Sequence, residues 1–132
     1  FAHCLEAYCT PSWHPMGEGI ALEGMRLVLE NLPRAFRDGA DIEARAKMMA
    51  AAAMGAVAFQ KGLGAIHALS HPVGAVYGSH HGTTNAVVMP AVLRFNRDAV
   101  AEKLDRAAAY LGVAGGTEGL LGRVDALLGE LC

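Results

Sequence analysis

Thirty-two consecutive residues, Gly62 to Leu93, contain no Asp, Glu, Lys or Arg, yet they hold four of the six histidines: His67, His71, His80 and His81. Polarity in this stretch is concentrated in imidazole. His67 and His71 are four apart, which on a helix puts both rings on one face about a turn apart. Two nitrogen donors so placed form part of a site for a borderline transition metal, and a further histidine or a carboxylate from another helix would complete it. By itself the pair fits structural or surface histidines better. Three features shift the balance. Gly62 and Gly64 precede the pair, Gly74 and Gly78 follow it and Gly82 follows His81, so the backbone can approach a ligand closely, although the same glycines would serve as turns. His81 is a third donor from a different turn. His3, distant in sequence, sits on an amphipathic segment beside Glu6. His14, in the loop-like TPSWHP segment, and His80 read as surface or structural.

Helices must position these rings. Strand signals are almost absent: no β-branched or aromatic run alternates with polar residues, and there is no Asn-Gly or Asp-Gly turn. Leu22, Met25, Leu29 and Leu32 form an apolar stripe, with Glu23, Arg26 and Glu30 on another face, predicting a helix from near Met16 to Phe36. Pro33 and the Gly39 region read as turns between helices. Asp41 is a candidate N-cap, with Glu43 in the first turn, for an Ala- and Met-rich helix reaching about Lys61 whose small side chains permit close packing. Val100, Leu104, Ala107 and Leu111 mark another stripe, and Leu120, Val124, Leu127 and Leu131 a fourth. Gly115 and Gly116 separate these two, predicting a helical hairpin. The expectation is an all-α bundle forming one domain over residues 1–132, with His67 and His71 on one helix and His81 near the start of the next.

Composition narrows the class. With 53% hydrophobic and 18% charged residues, the chain is no disordered segment and leans toward burial on several sides. Its net charge of -2, with scattered basic residues, argues against nucleic acid as a partner. Cys4, Cys9 and Cys132 are odd in number and lack CxxC spacing, which disfavours a disulfide framework or thiolate zinc site and fits a reduced, cytoplasmic compartment. The longest uncharged stretch within the predicted Ala- and Met-rich helix, Met48 to Gln60, has thirteen residues, short of the ~20 that span a bilayer. The charge-free centre is too rich in Gly, Ser, Thr, Asn and Pro for a membrane segment and reads as lining a polar pocket. No membrane partner is expected. Residue 1 is Phe and the apolar pattern starts at once, so both ends read as cut.

The stretch GLGAIHALSHPVGAVYGSHHGTTNAVVMPAVLRFN, residues 62–96, resembles the signature of the iron-containing, or group III, alcohol dehydrogenases. It has two His four apart, a third fourteen after the first, then a Gly, an Asn three residues on, and a Pro expected to precede an apolar helix. AHCLEAY, residues 2–8, resembles that family's other metal-ligand segment. The resemblance implies the dehydroquinate synthase-like helical domain of a two-domain enzyme whose α/β nucleotide-binding domain has no match here; Gly115 and Gly116 follow no strand and cannot be its glycine-rich loop. It implies that His3, His67 and His81 are metal ligands, with a fourth, an aspartate, upstream of Phe1. His71 matches a position beside nicotinamide and substrate, implicated in proton transfer.

The implied activity is hydride transfer between an alcohol or aldehyde and NAD or NADP, with a divalent ion, Fe2+ or alternatively Zn2+, acting on the alcohol oxygen. The implied partners are a small alcohol or aldehyde, the nucleotide-binding domain and further copies in a homo-oligomer. The 132-residue chain alone is expected to be inactive. Two rival readings remain: a related polyol dehydrogenase or maleylacetate-type reductase, and a non-catalytic helical metal-binding module.

Overall fold

In the computed structural model, residues 1–131 are described, and they form helices without a single strand among them. The order is α1 (Ala2–Cys9), α2 (Pro15–Arg37), α3 (Ile42–Ala58), a 3₁₀ turn (Phe59–Lys61), α4 (Ala65–Tyr77), α5 (His81–Tyr110) and α6 (Gly116–Leu131). Cys132 lies outside the described residues, and Cys4 and Cys9 are free thiols. No single helix among the described residues is long and apolar enough to cross a membrane.

Local chemistry explains the helix boundaries. His14 N-caps α2, its Nδ1 accepting from the Gly17 N–H at 2.9 Å. Pro15 occupies the first helical position, Glu18 the first turn, and Arg34 and Arg37 the last, all matched to the helix dipole. Asp41 N-caps α3, accepting from the Ala44 N–H at 2.9 Å. Gly78 ends α4 in the left-handed conformation, with φ of 63°, so that only Ser79 and His80 separate it from α5. At the other end of α5, Asp105 accepts from the Thr117 N–H at 2.6 Å and from its hydroxyl at 2.7 Å, closing the hairpin with α6.

Two expectations are corrected. Pro33 marks no turn; it is buried inside α2, which continues to Arg37. Pro90 likewise lies within α5, a single 30-residue helix that absorbs the Val100 stripe. A proline in a helix removes one hydrogen bond and crowds the preceding turn, but Pro33 itself and Leu29 one turn before it are buried, as are Met89, Val92 and Leu93 around Pro90. Packing overrides propensity at both positions.

The short α1 is the centre of the bundle. Cys4, Leu5, Ala7 and Tyr8 are at most 1% exposed, and α2, α3 and α5 surround them. Glycines make the space: a Cβ on Gly24 of α2 would sit 2.7 Å from Cys4 Sγ, and one on Gly55 of α3 would sit 3.3 Å from His3 Cβ. The expected close packing of α3 thus occurs around α1.

Two ammonium groups hold the C-terminal end of α1. Lys61, with its side chain fully buried, donates to the carbonyls of Ala7 (2.9 Å) and Thr10 (2.6 Å) and to the Thr10 hydroxyl (2.9 Å). Lys103 donates to the carbonyls of Tyr8 (2.9 Å) and Thr10 (2.7 Å) and to Glu18 Oε1 (3.0 Å). Cations at a helix C-terminus satisfy its orphan carbonyls and oppose its negative dipole end. Burial works against the Glu18 carboxylate, yet hydrogen bonds and charge from Lys103 and Lys61 prevail and hold its pKa below the usual carboxylate value.

Replacing Lys61→Met should lower the unfolding free energy by roughly 1.5–3 kcal/mol, since charge-assisted hydrogen bonds to buried carbonyls are lost. Urea titration that finds no change would show the clamp to be incidental. Glu18 releases its proton more readily in the folded chain than in the unfolded one, so its contribution is complete above its ordinary value near 4.5 and fades as pH falls through the lower native value. Glu18→Gln should therefore flatten the loss of stability below that pH, as read from thermal unfolding across an acid series.

Candidate metal centre

Three helices each supply a pair of side chains one turn apart. From α1 come His3 and Glu6, from α4 His67 and His71, and from the first turns of α5 His81 and Asn85. Spacings of three and four put each pair on one helix face. The bundle turns the three faces toward one another.

One ring nitrogen from each of His3, His67 and His81 lies within 4.8 Å of the other two. The His3 and His67 rings stack, with centroids 4.7 Å apart and planes 16° apart. The centroid of His81 is 5.2 Å from that of His67. His71 joins them from the open side, 5.7 Å from His67 and 5.3 Å from His81. His67 is buried, His3 half-buried, and His71 and His81 are exposed. All four singled-out histidines thus meet at one cleft. The remaining two do not join it: His14 caps α2, and His80 caps α5 with its Nδ1 accepting from the Thr83 N–H.

The protonation pattern leaves lone pairs facing the cleft. The Nδ1 of His67 is hydrogen-bonded to Glu6 Oε2; an ionised carboxylate only accepts, so the ring nitrogen donates. In the neutral ring, Nε2 then carries the lone pair. The Asn85 amide nitrogen sits 3.2 Å from this Nε2 and 3.1 Å from Nε2 of His81, donating to both. Its own Oδ1 is buried without a partner. Burial, followed by the neighbouring His67 ring, pushes the His3 pKa below the ordinary histidine value, which favours the neutral ligand form.

This donor set fits a divalent ion. A tetrahedral ion with bonds of ~2.1 Å spaces its ligand atoms by ~3.4 Å, within reach of modest ring rotations from the observed separations. The Asn85 amide occupies the acceptor direction such an ion would take, and the orphaned Oδ1 shows that the amide is poorly satisfied in that place. Neutral imidazoles suit iron and zinc alike.

Glu6 and Asn85 also reach the cleft, as a carboxylate bonded to His67 and an amide between His67 and His81, and ligand spacing alone does not single them out. Their sequence signal is a polar residue one helical turn from a candidate histidine. The cross-helix hydrogen bonds that give it meaning are tertiary.

An all-helical domain with a four-histidine cleft is the class that fold and site define. The chain belongs to the Fe-containing alcohol dehydrogenase family, whose C-terminal sequence profile matches residues 1–129. It is similar to 4-hydroxybutyrate dehydrogenase of Cupriavidus necator, 54% identical over 103 residues, covering 74% of this chain and 27% of that protein. It is also similar to an NAD-dependent methanol dehydrogenase of Bacillus methanolicus, 43% identical over 112 residues, covering 84% of this chain and 29% of that protein. Among solved structures, a 1,3-propanediol oxidoreductase superposes with a TM-score of 0.93 at 30% identity, covering 98% of this chain and 36% of the other. The iron-containing alcohol dehydrogenase of Thermococcus thioreducens gives 0.89 at 32% identity, with 98% and 34% coverage. The chain thus spans between a quarter and a third of the length of the curated relatives named here.

Burial separates two histidines four residues apart. His67→Ala should cost on the order of 2–3 kcal/mol, because it leaves a buried carboxylate short of a donor, whereas exposed His71→Ala should change stability by no more than ~0.5 kcal/mol. Equal losses in chemical denaturation would contradict the different settings of the two rings.

Proposed function

We propose that this chain forms the metal-holding helical part of an NAD(P)-dependent alcohol dehydrogenase, with His3, His67 and His81 as ligands and His71 as the proton-relaying group. The observation that carries the proposal is the convergence of three imidazole nitrogens from three helices within 4.8 Å. Family membership supports the alcohol dehydrogenase chemistry. The names of similar proteins, which specify 4-hydroxybutyrate, methanol and 1,3-propanediol, support a small alcohol or its aldehyde as substrate.

When bound, a divalent ion would supply Lewis acidity toward the alcohol oxygen, and a nicotinamide would supply the hydride acceptor. The chain's own residues do the rest. His3, His67 and His81 would hold that ion through one ring nitrogen each, the three lying within 4.8 Å of one another. His71, exposed beside His67 and His81, takes the hydroxyl proton and passes it toward solvent, a task suited to imidazole near neutral pH. Leu69, Val76 and Tyr77 of α4 and Val87 of α5 are exposed apolar side chains near this cleft in sequence, in keeping with a nucleotide-binding domain covering it in a longer enzyme.

The 132-residue chain alone should show no alcohol-dependent reduction of NAD or NADP, and only weak, exchangeable divalent-metal binding, since neutral imidazoles offset none of the ion's charge. Alcohol-dependent NAD reduction by this chain alone would contradict the proposal. In a complete enzyme carrying this domain, His67→Ala should lose metal and activity together. There, His71→Ala should keep its metal and slow turnover by ~10²–10⁴-fold, the usual worth of acid–base help. Elemental analysis beside turnover decides: metal loss in His71→Ala with retention in His67→Ala would reverse the roles. Metal binding without activity in any form would favour a non-catalytic module.

A further inference from the structure

We propose that Glu6 is the positioning residue that decides which nitrogen of His67 faces the cleft, by accepting two hydrogen bonds at once across the α1–α4 joint. The proposal rests on the reading of His67 as a ligand, but its primary test needs no metal. Glu6 has 5% of its side chain exposed. Its Oε1 accepts from the Ile66 N–H at 2.6 Å, and its Oε2 accepts from Nδ1 of His67.

The two contacts depend on each other. The N-cap of helix α4 is Gly64, which has no side chain to serve as a cap, so the first-turn N–H groups need an acceptor from elsewhere. Glu6 supplies one from another helix, with its Oε1 at the positive end of α4. Gly64 leaves room for that carboxylate: a Cβ there would sit 3.0 Å from Glu6 Oε1, tighter than an ordinary contact. With one oxygen committed to the helix, the other meets His67 as a pure acceptor. The ring must then put its proton on Nδ1 and its lone pair on Nε2, toward His81 and Asn85. Because His3 lies one turn before Glu6 on α1, the same joint sets the distance between His3 and His67.

Glutamine has the same shape but one acceptor oxygen. In Glu6→Gln, either the Ile66 N–H or Nδ1 of His67 must face an amide NH2. If the ring does, its proton moves to Nε2 and blocks the nitrogen that faces the cleft. A role confined to packing would tolerate this isosteric change.

Nitrogen-15 NMR of the metal-free chain at neutral pH reads the tautomer directly. The wild type should show His67 with a protonated Nδ1 and an unprotonated Nε2. Glu6→Gln should shift the ring toward the Nε2–H form, keep its helical circular dichroism, and bind Co2+ roughly 10–100-fold more weakly, the range for loss of a partner that orients a ligand. A wild-type His67 in the Nε2–H form would overturn the proposal, as would a Glu6→Gln chain with unchanged tautomer and unchanged Co2+ affinity. Should Glu6→Gln lose its helical signal, the wild-type spectrum decides alone. Should the wild type bind no Co2+, the metal reading fails while the tautomer still decides the role of Glu6.

Discussion

The buried carboxylate of Glu6 joins two helices that sequence keeps sixty residues apart. It accepts from the start of α4 and from the ring one residue further along. Most of the cleft's geometry depends on that joint. α1 is only eight residues long, too short to hold a helical shape or position unaided. Its location comes from the glycine notch of α2 and α3, the lysine clamp at its C-terminal end and the carboxylate link to α4. Each fixes a different degree of freedom: depth, slide along the axis, and rotation.

This arrangement places polar groups where they cost most and then satisfies nearly all of them. Lys61, Glu6, His67 and Asn85 are buried, and each has hydrogen-bond partners within the bundle. The exception is Asn85 Oδ1. Its lack of a partner lies within a few ångströms of the convergent imidazoles, where a partly satisfied polar network marks a functional place better than a stability device. Among the described residues, the Tyr8 hydroxyl is a second buried oxygen without a partner.

Much of this was legible in the sequence. The Leu22–Leu32 stripe located α2 to within a residue at each end, and Asp41 is the cap its position suggested. The four-residue spacing of His67 and His71 puts them on one helix, and His81, beyond Gly74 and Gly78, falls at the start of the next. Pro33 and Pro90 depart from the expectation because local rules weigh a proline without the packing of the helix face around it. Glu6 was visible only as a companion of His3, since nothing in AHCLEAY reveals that its carboxylate meets Ile66 and His67. Lys61 looked like a charge ending an apolar helix; its role depends on Thr10 and Glu18, which reach it only after folding.

X-ray absorption at the zinc edge of the zinc-loaded chain tests most directly whether the cleft is a histidine metal site. Three imidazole nitrogens at ~2.0–2.1 Å, completed by oxygen and without sulfur, are the predicted shell. A shell with fewer than two imidazoles, or with sulfur at ~2.3 Å, would place the ion away from His3, His67 and His81 and contradict the account.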